Sequence, residues 1–162
     1  YAGSGFDRGH QAPAEDMSQD QELMDESFFL SNMSPQVGVG FNQHIWADLE
    51  AWARDRIRQH GGGWVITGPL YLDGAGTAIG QGRVAVPSHF FKVVVVRGEG
   101  ANLKAIAFVL ENRKHTSEDR QHLERFIESV DRIEERSGMD LMPRLSPADE
   151  EWLERQPSAM WN

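Results

Sequence analysis

The spacing of apolar residues predicts one long helix in the first third of the chain. Between residues 42 and about 60, the apolar side chains that recur at near-helical intervals are Ile45, Leu49, Trp52 and Ile57. The glycine triplet at 61–63 predicts the end of this helix, because glycine readily adopts the left-handed conformation that closes a helix. The pattern therefore indicates an amphipathic helix with one buried face.

Four later segments combine β-branched and aromatic residues, a composition typical of strands. They cover residues 64–67, 84–86, 90–96 and 103–110. The four consecutive valines at 93–96 predict a strand buried on both faces, since a strand with one solvated face alternates apolar and polar residues. A sheet with an interior strand follows from this pattern.

The segment before the long helix predicts two shorter elements. Polar residues 18–26 are compatible with a helix. The apolar run Phe28-Phe29-Leu30 predicts a short buried strand, which Ser34-Pro35-Gln36 would end.

The last third of the chain carries helix boundary signals. Residues 130–136 precede Gly138, a candidate C-cap, and Ser146-Pro147 suits the N-cap and first turn of another helix. Taken together, the elements predict an α+β fold in which a mixed or antiparallel central sheet is flanked by helices.

Composition and charge narrow the possible functions. A chain of 162 residues fits one domain, and no apolar run approaches the length of a membrane span, so no membrane partner is expected. The absence of cysteine excludes disulfides, thiolate metal sites and cysteine nucleophiles. The net charge of -9 opposes general polyanion binding, although arginines and a divalent cation can make one cleft locally positive.

A short motif near the start concentrates groups that suit chemistry on a phosphate. Asp7-Arg8-Gly9-His10 contains a histidine, whose pKa suits proton transfer near neutral pH, and a guanidinium, whose planar fork suits phosphate. Gly9 could permit a backbone angle that other residues resist. The alternative interpretation is an exposed charged loop in which Asp7 merely pairs with Arg8.

A second polar group lies on the predicted helix. At four-residue steps, Asn42, Glu50 and Arg54 share one side of an α-helix with Trp46. Asn42 and Glu50 would be about 12 Å apart along the axis, too far for both to bind one Mg²⁺ directly, so one would act through water. The alternative is an N-cap at Asn42 and an exposed ion pair between Glu50 and Arg54.

The order of these motifs resembles that of the DNA/RNA non-specific endonuclease family, the ββα-metal nucleases that include endonuclease G. The family pattern Asp-Arg-Gly-His is matched at 7–10, Ser-Asn-x-x-Pro-Gln at 31–36, and Asn-Gln-x-x-Trp-x-x-Leu-Glu at 42–50. Weaker similarity continues at 67–69, 86–93 and 137–140. The resemblance therefore covers most of the chain.

The resemblance implies a sugar-non-specific endonuclease that hydrolyses DNA and RNA phosphodiesters and leaves 5′-phosphate ends. By this resemblance His10 would be the general base that activates water. Asn42 would be the only direct protein ligand of one hydrated Mg²⁺, with Mn²⁺ as the alternative metal, and Glu50 would hold that metal through water.

The same resemblance implies substrate-binding residues. Arg54 would stabilise the phosphate in the transition state, and Arg8 would support the same charge or orient the site. Asn32, in the second motif, would support the site and contact the substrate.

Several expectations concern the whole protein. Relatives carry additional strands before the first motif, so residues 1–162 are expected to form a single nuclease domain that lacks those upstream strands. The alternative function is a catalytically inactive nucleic-acid-binding or interaction module derived from the family. A homodimer and an inhibitor protein are further candidate partners. Localisation is left open, with a secreted or periplasmic location favoured over a mitochondrial one.

Overall fold

A computed structural model describes residues 1–74, 76–98, 102–155 and 159–161. Its strands are β1 (Phe6–His10), β2 (Met33–Val37), β3 (Gly63–Leu70), β4 (Ala78–Ile79), β5 (Val84–Ala85), β6 (His89–Arg97), β7 (Leu103–Glu111) and β8 (Ile127–Glu128). Its α-helices are α1 (Gln21–Glu26), α2 (Ala47–Gln59), α3 (Ser117–Gln121), α4 (Val130–Ser137) and α5 (Pro147–Glu154). The described helices include none that is long and apolar enough to cross a bilayer.

The central sheet has four antiparallel strands in the order β3-β6-β7-β8. Strand β6 lies between β3 and β7, which confirms the interior strand predicted from the valine run. Alternate side chains of a strand point to opposite faces of its sheet. Phe90 and Val94 therefore pack into the core on one face, whereas Phe91 and Val93 pack into the core on the other.

Helices cover both faces of this sheet. On the first face, α2 contributes Leu49 and Ala53 to a core with Phe90 and Phe108. On the second face, α4 and α5 contribute apolar side chains, among them Ile133, to the other core. This arrangement of an antiparallel sheet between helices confirms the predicted α+β fold.

The first motif forms a strand of a separate two-stranded ribbon. Strand β1 pairs antiparallel with β2, with His10 opposite Met33 and Arg8 opposite Pro35. Residues 34–36 therefore lie within a strand, and the prediction that they end one was wrong. Asn112 attaches this ribbon to the end of the central sheet, because its side chain accepts from the backbone N–H of Val37 and donates to the carbonyls of Pro35 and Pro87.

The predicted long helix consists of two parts. Residues Gly38–Trp46 form a wide, π-type helical turn that is interrupted by non-helical angles at Val39 and Gly40, and the regular α-helix begins at Ala47. Gly40 has a φ of 96°, which favours glycine. The predicted end was correct, since α2 closes at Gln59 before the glycines. Asn42 therefore precedes the regular helix, and the rise of 12 Å that we expected between Asn42 and Glu50 does not apply.

The remaining elements follow their local sequence signals, with one exception. Ser129 and Ser146 cap the starts of α4 and α5, and Gly138 closes α4 with a φ of 70°. The exception is the predicted strand at Phe28-Phe29-Leu30, which is wrong. These side chains are 57%, 59% and 68% exposed, and the chain there makes a turn that leads into a short 3-10 helix.

Candidate active site

The ribbon places His10 and Arg8 on the same face of β1, because they are two residues apart on a strand. The His10 ring packs edge-on against Phe28, with ring centroids 4.9 Å apart. Burial lowers the pKa of His10, so its imidazole is held neutral at neutral pH. Nε2 of His10 is buried and has no hydrogen-bond partner in the part of the chain that the structure describes. A neutral imidazole in this state can accept a proton.

A glycine is required at residue 9 because a larger side chain would not fit there. The backbone angle of Gly9 is ordinary for a strand. The side chain of Gln36 on β2 lies across Gly9, and a Cβ at residue 9 would be 2.0 Å from its Cδ. Residue 9 is not among the glycines with positive φ, so the expected special backbone angle is wrong. The glycine of the first motif lets the two strands of the ribbon pack closely around the buried Gln36.

Asp7 joins the ribbon to the wide turn before α2. Its Oδ2 accepts hydrogen bonds from Nδ2 of Asn42 at 3.0 Å and from Nε2 of Gln43 at 2.8 Å. Gly38 permits this approach, because a Cβ there would be 2.8 Å from the Asp7 carboxylate. The contacts give Asp7 specific partners on the third motif, in contrast to the alternative of a simple pair with Arg8.

The Asp7 contact also orients the Asn42 amide. A carboxylate can only accept hydrogen bonds, so the amide nitrogen of Asn42 must face Asp7. The amide oxygen then points away from Asp7. A neutral carbonyl oxygen is a ligand that Mg²⁺ accepts, so the orientation of Asn42 suits the predicted metal contact.

Asn32 holds the loop that follows His10. Its side chain accepts from the backbone N–H of Ala12 and donates to the carbonyls of Ala12 and Ser27. Both amide hydrogens of Asn32 are used in these contacts. The observed contacts therefore suit the predicted supporting role of Asn32 better than direct substrate binding.

Glu50 lies on α2 beside a buried cation that the sequence analysis did not assign. Lys92 on β6 is 1% exposed, and its Nζ donates to Oγ1 of Thr67 at 2.9 Å and lies 4.7 Å from the centre of the Trp46 ring. Burial raises the pKa of Glu50 to about 7, against the opposing effect of the positive charge of Lys92. Burial likewise lowers the pKa of Lys92 to about 8, against the effect of Glu50.

Arg54 is oriented by two acidic residues of a short 3-10 helix after β1. Its Nε donates to Oδ1 of Asp16 at 2.6 Å, and its Nη1 is 3.2 Å from Oε2 of Glu15. The Arg54 side chain is only 12% exposed. Arg54 therefore pairs with Glu15 and Asp16, in contrast to the alternative of an exposed ion pair with Glu50. A guanidinium has five N–H donors, so contacts at Nε and Nη1 leave donors for a phosphate.

The structure links the predicted site residues through groups to which we had given no role. Asp7 connects the first motif to Asn42, Asp16 connects the loop after His10 to Arg54, and Lys92 lies in the core near Glu50. Arg8 is exposed, with its guanidinium 5.8 Å from the centre of the Tyr1 ring. Lys92 could have been recognised as the one charged residue between Phe90 and Val96, the apolar part of β6, since buried lysine is rare without a partner.

Comparison with known proteins gives one consistent result. A sequence profile described as DNA/RNA non-specific endonuclease matches residues 1–148. Nuclease C1 of Cunninghamella echinulata var. echinulata is 44% identical over 154 residues, which cover 90% of this chain and 60% of that nuclease. Mitochondrial endonuclease G of Homo sapiens is 38% identical and covers 90% of this chain and 51% of its own length.

A solved structure supports the same assignment. The crystal structure of the EndoG/EndoGI complex contains a chain that superimposes with a TM-score of 0.82 and 35% sequence identity, covering 90% of this chain and 62% of that chain. This chain thus spans about half to three fifths of the length of these relatives. The profile match over residues 1–148 and the shared fold show that the chain belongs to the DNA/RNA non-specific endonuclease family.

Proposed function

We propose that this chain is a metal-dependent, sugar-non-specific endonuclease that hydrolyses phosphodiester bonds in DNA and RNA, with residues 1–162 as its nuclease domain. The observation that carries the proposal is the hydrogen bond from Asn42 to Asp7. It joins the strand of His10 to the turn of Asn42 and directs the Asn42 oxygen away from Asp7.

The metal would be Mg²⁺, with Mn²⁺ as the alternative. Asn42 would be its direct ligand through Oδ1, and Glu50 would act through water, which agrees with the readiness of Mg²⁺ to keep several waters. Once bound, the ion would stabilise negative charge that develops on the phosphate and the leaving oxygen. The charge of Lys92 would favour the ionised form of Glu50, which attracts the cation.

His10 would be the general base. Its neutral imidazole would remove a proton from the attacking water as the new P–O bond forms, and the bond from phosphorus to the 3′ oxygen would break. The 3′ oxygen would take a proton from solvent water, so the products would be a 5′-phosphate and a 3′-hydroxyl. Asn32, which fixes the loop next to His10, would keep the imidazole in place.

Two arginines would bind the phosphate. Arg54 is oriented by Asp16 and Glu15 and retains donors for the oxygens that gain charge in the transition state. Arg8 lies on the same face of β1 as His10 and would support the same charge. Because these contacts address the phosphate backbone, we expect weak sequence preference.

Partners and location are inferred from relatives. The solved relative was studied as a complex with its inhibitor, so we include an inhibitor protein among the partners of this chain. Several relatives are named mitochondrial, including those of Schizosaccharomyces pombe and Saccharomyces cerevisiae. We therefore favour the mitochondrial alternative, because these names give no support to a secreted or periplasmic location. The homodimer stays a prediction.

Removing the metal tests the function. With Mg²⁺, the purified chain is expected to degrade both plasmid DNA and single-stranded RNA, and EDTA should abolish both activities because the ion would no longer stabilise the developing negative charge. Denaturing gels would follow both substrates. Salt-sensitive binding of either polymer without cleavage would instead support the inactive binding module.

The role of Asp7 gives a second test. Asp7→Asn keeps the shape of the side chain, but an amide both donates and accepts and so no longer fixes the Asn42 amide. We expect the Mg²⁺ concentration for half-maximal cleavage to rise roughly 10–100-fold. Asp48→Asn is the matched control, because Asp48 lies on α2 and pairs with Arg120. An Asp7→Asn enzyme with the metal dependence of the Asp48→Asn control would refute the orienting role.

A further inference from the structure

Three carboxylates meet on the far side of the central sheet from α2. Asp131 and Glu134 are three residues apart on α4 and so share one face of that helix, and Glu154 is the last residue of α5. One carboxylate oxygen from each residue lies within 4.8 Å of the other two. These residues are separate from the active site, and Glu154 lies beyond the region that matches the family profile.

Glu154 shows that this group is more than a solvated acidic surface. Its side chain is only 5% exposed, and its buried Oε1 has no hydrogen-bond partner among the residues that the structure describes. A buried carboxylate is costly unless a positive charge or a hydrogen bond compensates it. Glu154 therefore needs a positively charged partner or must take up a proton.

The negative charges around Glu154 increase its need for a positively charged partner or a proton. Burial raises the pKa of its carboxyl to about 7, and the neighbouring carboxylates that add to this rise are Glu134, Glu150, Asp131 and Asp140. The basic residues of α4 and the arginine that follows α5 are paired elsewhere. Arg132 and Arg136 pair with Glu128, and Arg155 pairs with Glu151.

We propose that Asp131, Glu134 and Glu154 bind a calcium ion that fastens α5 to α4. Ca²⁺ binds carboxylate oxygens at about 2.3–2.6 Å, so three oxygens that all lie within 4.8 Å of one another can reach one ion. Ca²⁺ takes several carboxylate ligands in a flexible geometry, whereas Mg²⁺ gives up its waters reluctantly and is usually bound through one or two carboxylates. A group made only of carboxylates also suits a hard cation better than zinc or copper.

The surroundings fit an ion that enters from solvent. Asp131 is exposed and Glu134 is partly exposed, so water can complete the coordination on one side while the buried Glu154 binds on the other. Glu134 is held in place because its Oε1 accepts from the backbone N–H of Leu141. The ion would link the end of α5 to a helix that is already packed on the sheet through Ile133.

The test uses the full chain carrying Asn42→Ala, which removes the proposed catalytic metal contact, after treatment with EDTA and dialysis. Titration calorimetry with CaCl₂ is expected to give one Ca²⁺ per chain. At a concentration about 100 times the Kd, Ca²⁺ should raise the Tm by roughly 5–10 °C. Adding Glu154→Gln or Asp131→Asn should weaken binding at least about tenfold, since charge on the ligands sets calcium affinity.

Glu135→Gln is the matched control, because it removes one charge from an exposed position of the same helix and should leave binding unchanged. The proposal is overturned if CaCl₂ raises the Tm no more than NaCl of equal ionic strength, or if Glu154→Gln binds Ca²⁺ as the control does. Should Asn42→Ala unfold the chain, calorimetry on the parent chain decides: Glu154→Gln must lower the number of Ca²⁺ bound by one. None of these measurements depends on nuclease activity.

Discussion

Lys92→Met is expected to lower the free energy of unfolding by about 1–3 kcal/mol, because the partly buried Thr67 hydroxyl loses its donor and Glu50 loses a nearby positive charge. Methionine fills a similar volume, but it cannot donate to Thr67 or balance the charge of Glu50. The loss of the cation should also raise the pKa of Glu50, so that less of the carboxylate is available to the metal. Urea unfolding gives the change in stability directly.

Two variants separate the charge effect from simple loss of packing. Lys104→Met removes an exposed lysine from the neighbouring strand β7 and should change stability by less than about 0.5 kcal/mol. The double variant Lys92→Met/Glu50→Gln leaves no uncompensated charge. Its cost should therefore be smaller than the sum of the two single changes. Strictly additive costs would show that Lys92 and Glu50 act independently.

His10→Ala is expected to reduce the rate of DNA and RNA cleavage by roughly 10²–10⁴-fold, the usual contribution of a general base. The fold should be retained, because the ring is only partly buried and contacts the exposed Phe28. Circular dichroism and single-turnover cleavage of a labelled duplex would measure the two effects separately.

His122→Ala provides the comparison for His10. His122 is 44% exposed and pairs with Glu124 near α3, so its loss should leave cleavage unchanged. A drop of equal size in both variants would point to a general effect of losing a histidine, and the assignment of His10 would fail.

The sequence predicted those elements whose signals are local. The valine run identified β6 as an interior strand. Ser146 marked the start of α5 and Gly138 the end of α4, because helix caps depend on residues next to them in the sequence. Phe28 shows the limit of this approach. An apolar run predicts burial only when another element packs on it, and in this structure the run is exposed.

Contacts between segments that are far apart in the sequence could not be predicted from the pattern of residues. Gly9 was expected to serve a special backbone angle, but the close approach of Gln36, 27 residues later, explains it. In the same way, Asn42 is hydrogen-bonded to Asp7 and Arg54 to Asp16. Periodicity along a helix cannot identify these distant partners. The motifs were enough to locate the candidate site. The charged residues that orient its side chains could be identified only from the folded structure.

In the proposed mechanism His10 performs proton transfer while Asn42 holds the metal, and a Mg²⁺ titration of plasmid cleavage tests both assignments at once. Wild type, His10→Ala and Asn42→Ala would be compared by initial rate at each Mg²⁺ concentration. We expect His10→Ala to lower the maximal rate and keep the half-saturating concentration, whereas Asn42→Ala should raise that concentration. A His10→Ala chain that reaches the wild-type maximal rate would contradict the assignment of His10.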